Sequence, residues 1–119
     1  MIRSDSETTR AETARIISTG GVIAFRTDTF YGLGADPFNP TALQKIRKLK
    51  GREENKPILL LISNLEQLDR FIGEQSSLFR SLATRFWPGP LTLIGAARPE
   101  LPTELTAGTN SIGVRLPDD

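Results

Sequence analysis

The 119-residue sequence contains no cysteine and no histidine. The absence of cysteine excludes disulfides and thiol chemistry, and it agrees with a reducing compartment. The two absences together exclude zinc sites built from Cys and His, HExxH metalloproteases, and Ser-His-Asp or Cys-His nucleophile pairs. The remaining chemistry must use Lys and Arg charge, carboxylates, hydroxyls and backbone amides. Phosphoryl and nucleotidyl transfer therefore stay possible, because they depend on positioning and charge neutralisation.

Long apolar runs and a strong net charge are also missing. No apolar stretch reaches the ~20 residues that span a bilayer, and the polar residues 1–10 show no signal-peptide core. We therefore expect a cytoplasmic protein. The net charge is +1, with 38% hydrophobic and 24% charged residues, which is typical of a globular domain. We expect a single domain over residues 1–119, with residues 1–6 disordered.

The apolar pattern predicts helices that alternate with buried strands. We expect helices at 7–19, 39–50, 65–72 and 76–86, and strands at 22–25, 57–63, 91–97 and 111–117. Asn39 and Asn64 are the expected N-caps of the second and third helices. The last two strands are joined by a predicted loop at 98–110 without a helix, which favours a mixed sheet. The predicted fold class is α/β, a twisted, mixed open sheet with helices packed on it.

The segment FRTDTFYGLGADP, at 25–37, follows the first predicted strand. It does not match the dinucleotide fingerprint G-x-G-x-x-G, because Pro37 stands at the third glycine position. The sequence also lacks the Gly-Lys-Ser/Thr of a Walker motif. Two interpretations remain: a strand-to-helix turn in which glycine supplies positive φ, or a binding loop at a strand end. In the second interpretation, four side chains could reach a ligand: Thr27, Asp28, Thr29 and Tyr31.

The segment KIRKLKGREENKP, at 45–57, is strongly basic. Six cations and two carboxylates give it a local charge of +4 in a chain of net charge +1. The segment could be a solvated helix face, a phosphate site or an RNA-backbone site. Lys50, Arg52 and Lys56 are the phosphate candidates, because we expect them past the helix, in the loop that leads to the next strand.

Two features near the C-terminus combine rigidity and charge. Trp87-Pro88-Gly89-Pro90 predicts a rigid turn, with Trp87 as an anchor in the core. Arg115 stands among apolar strand residues, where a charge is costly unless it is paired or bound to a ligand. It is therefore a candidate anion-binding residue, with an internal salt bridge as the alternative.

Four segments, RTDTFYGLG, KGREENKPILL, FWPGPLT and IGVRLP, together resemble the YrdC-like domain family, the threonylcarbamoyl-AMP synthases of tRNA modification. The resemblance covers about Gly20 to the C-terminus. It implies a twisted α/β sheet with a positively charged concave surface. It also implies a reaction in which ATP, L-threonine and bicarbonate give threonylcarbamoyl-adenylate and pyrophosphate, for the t6A modification of tRNA. Mg²⁺ is expected with ATP, and some members bind double-stranded RNA.

The resemblance assigns the nucleotide to basic and hydroxyl side chains. Lys50 and Arg52 would be catalytic, because they would hold the triphosphate and stabilise charge on the α-phosphoryl group. Arg52, Lys56 and Ser111 would bind ATP. No residue is assigned to a metal.

The resemblance assigns threonine to a second set of residues. Thr29 would contact the substrate, Tyr31 would shape the pocket, and Arg115 would pair with the threonine carboxylate. Arg26 departs from the family pattern, which usually has proline there, and Leu61 stands near a position where many members have histidine.

The family pattern continues to a Ser-Ala-Asn segment that this sequence does not contain. We therefore expect the N-terminal part of a YrdC-like domain, incomplete at its C-terminus and either an active synthase or a truncated, inactive member. An incomplete sheet would expose an edge or apolar surface. We therefore expect self-association, for example as a homodimer through the exposed sheet edge. A non-catalytic double-stranded RNA-binding module and the carbamoyl-adenylate chemistry of hydrogenase maturation are the alternatives.

Overall fold

The structure is a computed structural model that describes residues 6–26, 31–50 and 58–118, with Tyr31 and Lys50 described by their backbone only. The helices are α1 (Glu7–Ser18), α2 (Pro40–Lys50), a 3₁₀ helix (Leu65–Arg70), α3 (Ser77–Phe86) and α4 (Thr103–Thr106). The strands are β1 (Ile23–Arg26), β2 (Tyr31–Gly34), β3 (Leu60–Leu61), β4 (Leu93–Ala96) and β5 (Ser111–Arg115). None of the helices within these ranges is long and apolar enough to cross a membrane.

Side-chain caps fix where most of the helices begin. The expected caps are confirmed, because Asn39 Oδ1 accepts from the Ala42 amide at 3.1 Å and Asn64 Oδ1 accepts from the Gln67 amide at 3.1 Å. Ser76 caps α3 in the same way. Ser6, the last residue of the segment that we expected to be disordered, is the N-cap of α1.

The described strands form two small sheets. The first has the order β3-β5-β4, in which β3 runs parallel to β5 and β4 runs antiparallel to it. The predicted mixed sheet is thus confirmed in these three strands. The second sheet contains β1 and β2, which pair antiparallel with Arg26 opposite Tyr31.

Strand β2 (Tyr31–Gly34) corrects the strand-to-helix turn, one of the two interpretations of residues 25–37. Gly32 and Gly34 lower the strand propensity of this segment, but the Phe25 ring of β1 lies over them. A Cβ atom on Gly34 would lie 2.6 Å from the Phe25 ring. The glycines therefore make room for a cross-strand aromatic ring, which a propensity argument does not reveal. The predicted loop at 98–110 is corrected too, because it contains α4.

The core lies between the three-stranded sheet, α3 and the 3₁₀ helix. Its largest fully buried side chains are Leu43, Ile72, Leu105, Ile112 and Val114. Trp87 is confirmed as a core anchor: its ring meets Phe79 edge-on, with 6.0 Å between centroids, and its Nε1 donates to the Leu91 carbonyl at 2.7 Å.

Two helices have apolar faces that are only partly buried. In α2, Leu43 and Ile46 are buried, but Leu49 is 67% exposed. Helix α1 buries none of its residues, although the sequence gives it a face of small apolar side chains. Helical spacing thus identifies the side of a helix that is apolar, but not how far the rest of the protein covers it.

Candidate active site

Strand β5 separates the core from a candidate binding surface. Ile112 and Val114 are fully buried in the core. Side chains alternate along a strand, so Ser111, Gly113 and Arg115 lie on the opposite side, which we call the outer face. Two predicted site residues, Ser111 and Arg115, therefore share this face. They lie four positions apart, which is roughly 13 Å along an extended strand.

Arg115 lies at the C-terminal end of the outer face, where a main-chain carbonyl accepts a hydrogen bond from it. It is only 6% exposed, and its Nε donates to the Gly89 carbonyl at 3.0 Å. This hydrogen bond orients the guanidinium. A guanidinium has five N–H donors in a fixed plane, which suits it to recognise a carboxylate or phosphate.

The acceptor of this bond belongs to the Trp-Pro-Gly-Pro turn. Gly89 also donates its amide to the Leu116 carbonyl at 2.8 Å, directly after β5. Residue 89 is thus bonded twice to the end of β5, once through its N–H and once through its C=O. Sequence reasoning missed this contact, because it joins residues that lie 26 positions apart and no local pattern announces it.

Ser111 begins β5 at the other end of the outer face. Its hydroxyl oxygen lies 3.2 Å from the hydroxyl oxygen of Thr109, and either group could donate. Its amide donates to the same Thr109 oxygen at 3.4 Å. The two hydroxyls form a small polar cluster that could accept hydrogen bonds from a ligand or donate hydrogen bonds to it.

Gly113 forms the middle of the outer face. A Cβ atom there would lie 3.2 Å from a methyl of Thr92, 3.7 Å from a methyl of Leu59 and 4.0 Å from Ile94. Leu59 is 44% and Ile94 is 73% exposed. The outer face is therefore apolar in its centre and polar at its two ends, an arrangement common in small-molecule sites.

The other predicted site residues are not placed by the structure. Thr29, Arg52 and Lys56 lie outside the described residues, as do Thr27 and Asp28.

Two predicted site residues are placed by their backbone alone. Tyr31 begins β2, and Lys50 is the last residue of α2. Our expectation that Lys50 lies past the helix is therefore corrected. Contacts between these residues and the outer face stay predictions.

The first cations of the basic segment have structural contacts. Arg47 donates through Nε and Nη2 to the Glu104 carbonyl, at 2.9 and 2.6 Å. Lys45 Nζ donates to the Gly20 carbonyl at 3.4 Å. Both side chains tie α2 to neighbouring segments of main chain. Lys45 and Lys48 are nevertheless exposed, so the described part of the segment combines main-chain contacts with a solvated face.

Apart from the outer face, the described residues form an apolar cleft of about 590 Å³. It lies between α1 and the β1–β2 pair on one side and α2 and β3 on the other. Its lining includes Ile17, Phe25, Leu33, Phe38, Ile46 and Leu61. Neither Ser111 nor Arg115 belongs to its described lining.

Acidic side chains do not assemble into a metal site in the described part of the chain. It contains no group of three or more Asp or Glu side chains that could hold a metal ion. Within these ranges, a divalent cation would find no cage built from protein carboxylates, and we assign no metal ligand.

Comparisons with known proteins connect these features to a family. A model of the Sua5, YciO and YrdC proteins, described as "Telomere recombination", matches residues 15–119. The threonylcarbamoyl-AMP synthase of Bacillus subtilis (strain 168) is 38% identical over 109 residues, which are 91% of this chain and 32% of that protein. The enzyme of the same name from Thiobacillus denitrificans is 42% identical over 97 residues, 82% of this chain and 52% of that protein.

A solved structure agrees with these relatives. The crystal structure of P. abyssi Sua5 complexed with L-threonine has a TM-score of 0.92 and 35% identity, and the match covers 98% of this chain and 34% of that one. The chain spans about a third to a half of the length of the curated relatives it matches.

Proposed function

Because this chain belongs to the Sua5/YciO/YrdC family, we propose that it acts as an L-threonylcarbamoyladenylate synthase or forms the N-terminal part of one. The reaction would convert ATP, L-threonine and bicarbonate into threonylcarbamoyl-AMP, pyrophosphate and water, for the t6A modification of tRNA. One observation carries the proposal: Ser111 and Arg115 share the outer face of β5, in a chain whose fold matches that of a relative bound to L-threonine.

The threonine side of the proposal centres on Arg115. Its guanidinium would pair with the substrate carboxylate, and its low exposure would strengthen that pair by keeping water away. Thr29 and Tyr31 would complete the threonine pocket. Threonine would then present its amine to bicarbonate, and a C–N bond would form with loss of water.

The nucleotide side rests on charge and positioning. An oxygen of the resulting carbamate would attack the α-phosphorus of ATP, and pyrophosphate would leave. Arg52, Lys56 and Ser111 would bind ATP, while Lys50 and Arg52 would stabilise the negative charge that develops at the α-phosphoryl group. Mg²⁺ would enter with the ATP phosphates. This chemistry needs neither histidine nor cysteine, in agreement with the composition.

The remaining expectations concern partners and location. A homodimer stays a prediction, and a monodisperse monomer would contradict it. Direct binding of tRNA or double-stranded RNA and a cytoplasmic location also stay predictions. Lys45 and Arg47 weaken the RNA alternative, because their described contacts are to main-chain carbonyls.

Pyrophosphate release from ATP tests the proposal. We expect release that requires both L-threonine and bicarbonate, and we expect Arg52→Ala to abolish it while the circular dichroism spectrum is unchanged. Arg80→Ala is the matched control, because Arg80 is exposed on α3, and its rate should equal that of the wild type. An unchanged rate in Arg52→Ala would refute the role of Arg52. No release, combined with salt-sensitive binding to duplex RNA, would replace the synthase with an RNA-binding module.

A further inference from the structure

We propose that Gly89 is a positioning residue for L-threonine, because its carbonyl sets the orientation in which Arg115 receives the substrate carboxylate. This inference rests on the proposed function. It also gives a role to the Trp-Pro-Gly-Pro turn beyond anchoring the core.

The direction of the Arg115 guanidinium depends on its hydrogen bond to Gly89. Its Nε donates to the Gly89 carbonyl at 3.0 Å, and the guanidinium is planar. A hydrogen bond at Nε therefore restricts rotation of the side chain and directs the two terminal Nη atoms. A carboxylate bound in two-pronged fashion would meet these Nη atoms, so its position depends on where the Gly89 carbonyl lies.

The position of the Gly89 carbonyl is itself fixed by hydrogen bonds of the turn. The Gly89 amide donates to the Leu116 carbonyl at 2.8 Å, and the Trp87 amide donates to the Ala83 carbonyl at 3.0 Å. The Trp87 side chain is 8% exposed. The turn is thus fastened to α3 on one side and to the end of β5 on the other. A preorganised acceptor of this kind lowers the entropy lost when the ligand binds.

The acceptor residue is glycine because the turn leaves no room for a Cβ atom at position 89. A Cβ atom at position 89 would lie 2.7 Å from the Phe86 carbonyl oxygen. That oxygen is part of the main chain, so it cannot yield as a flexible side chain would. Alanine at position 89 must therefore shift the turn and its carbonyl, while the side chains of Arg115 and Trp87 stay chemically intact.

A purely structural turn and a positioning turn differ in one measurable respect. Damage to a structural turn would weaken the binding of every ligand of the site to the same extent. Loss of positioning would weaken the binding only of ligands that present a carboxylate to Arg115. L-threoninol separates the two cases, because it replaces the carboxylate of L-threonine with a neutral hydroxymethyl group.

The experiment measures the Kd values of L-threonine and L-threoninol by calorimetry on the full chain. We expect the wild type to prefer L-threonine by about tenfold or more, the value of one charged hydrogen-bonding contact. Gly89→Ala should reduce this preference towards one and leave the Kd of L-threoninol unchanged. Gly73→Ala is the matched control, because nothing lies within 4 Å of a Cβ atom there, and it should keep the wild-type preference.

Each other outcome decides against part of the proposal. An unchanged preference in Gly89→Ala, or an equal loss for both ligands, would overturn the positioning role alone. A wild-type chain that binds no L-threonine would refute the proposed function and the role of Gly89 with it. If Gly89→Ala fails to fold, Arg115→Lys takes its place, because it keeps the charge and removes the planar Nε donor. A full preference in Arg115→Lys would overturn the inference.

Discussion

The outer face of β5 and the apolar cleft are the two candidate binding regions of the described residues, and they are built differently. The outer face lies on a strand whose other side is fully buried at Ile112 and Val114, and its Arg115 is bonded to a fastened turn. The cleft is bordered by α1, which buries none of its residues. The proposed site thus lies on the firmly packed side of the described residues, as expected for a site that must hold its groups in place.

The largest expected difference between the two regions is in core stability. Ile112→Ala should lower the free energy of unfolding by about 2–5 kcal/mol, because it empties space in a fully buried position. Ile17→Ala, at the half-buried cleft wall of α1, should lower it by about 1 kcal/mol or less. Urea denaturation followed by tryptophan fluorescence measures both, since Trp87 is the one tryptophan of the chain. Equal losses would remove the distinction between the two regions.

A smaller difference is expected between two helix caps of equal geometry. Asn64 and Ser6 each accept an amide hydrogen bond at 3.1 Å. Asn64→Ala should lower the free energy of unfolding by about 1 kcal/mol, because the 3₁₀ helix carries Leu68 into the core. Ser6→Ala should mainly fray α1, which is seen as a loss of helical ellipticity before global unfolding. The same global loss in both variants would show that α1 is coupled to the core as tightly as the 3₁₀ helix.

Local signals in the sequence predicted four of the five described helices and two of their caps, but not α4. Asn39 and Asn64 could be identified because capping depends on side-chain atoms within three residues. The mixed character of the three-stranded sheet was predicted from two successive strands, although the order β3-β5-β4 was not, and the loop between those strands contains α4. The β1–β2 pair could not be predicted in this way, because Gly32 and Gly34 become strand residues only when the Phe25 ring lies over them.

The candidate site was predictable in its residue types but not in its contacts. Ser111 and Arg115 share a face because strand side chains alternate, and that alternation is visible in the sequence. The bonds from Arg115 to Gly89 and from Arg47 to Glu104 span 26 and 57 positions. Such contacts depend on the assembled fold, so Arg47 was interpreted as part of a charged patch and Gly89 only as a turn residue.

The most direct test of the account is a titration of the ¹⁵N-labelled chain with L-threonine, followed by the backbone amide signals. The account predicts that Gly89, Gly113 and Arg115 shift with a common Kd, while Leu33 and Ile46 in the cleft do not. Shifts confined to the cleft, or no shifts at L-threonine concentrations of several millimolar, would contradict the assignment of the outer face as the threonine site.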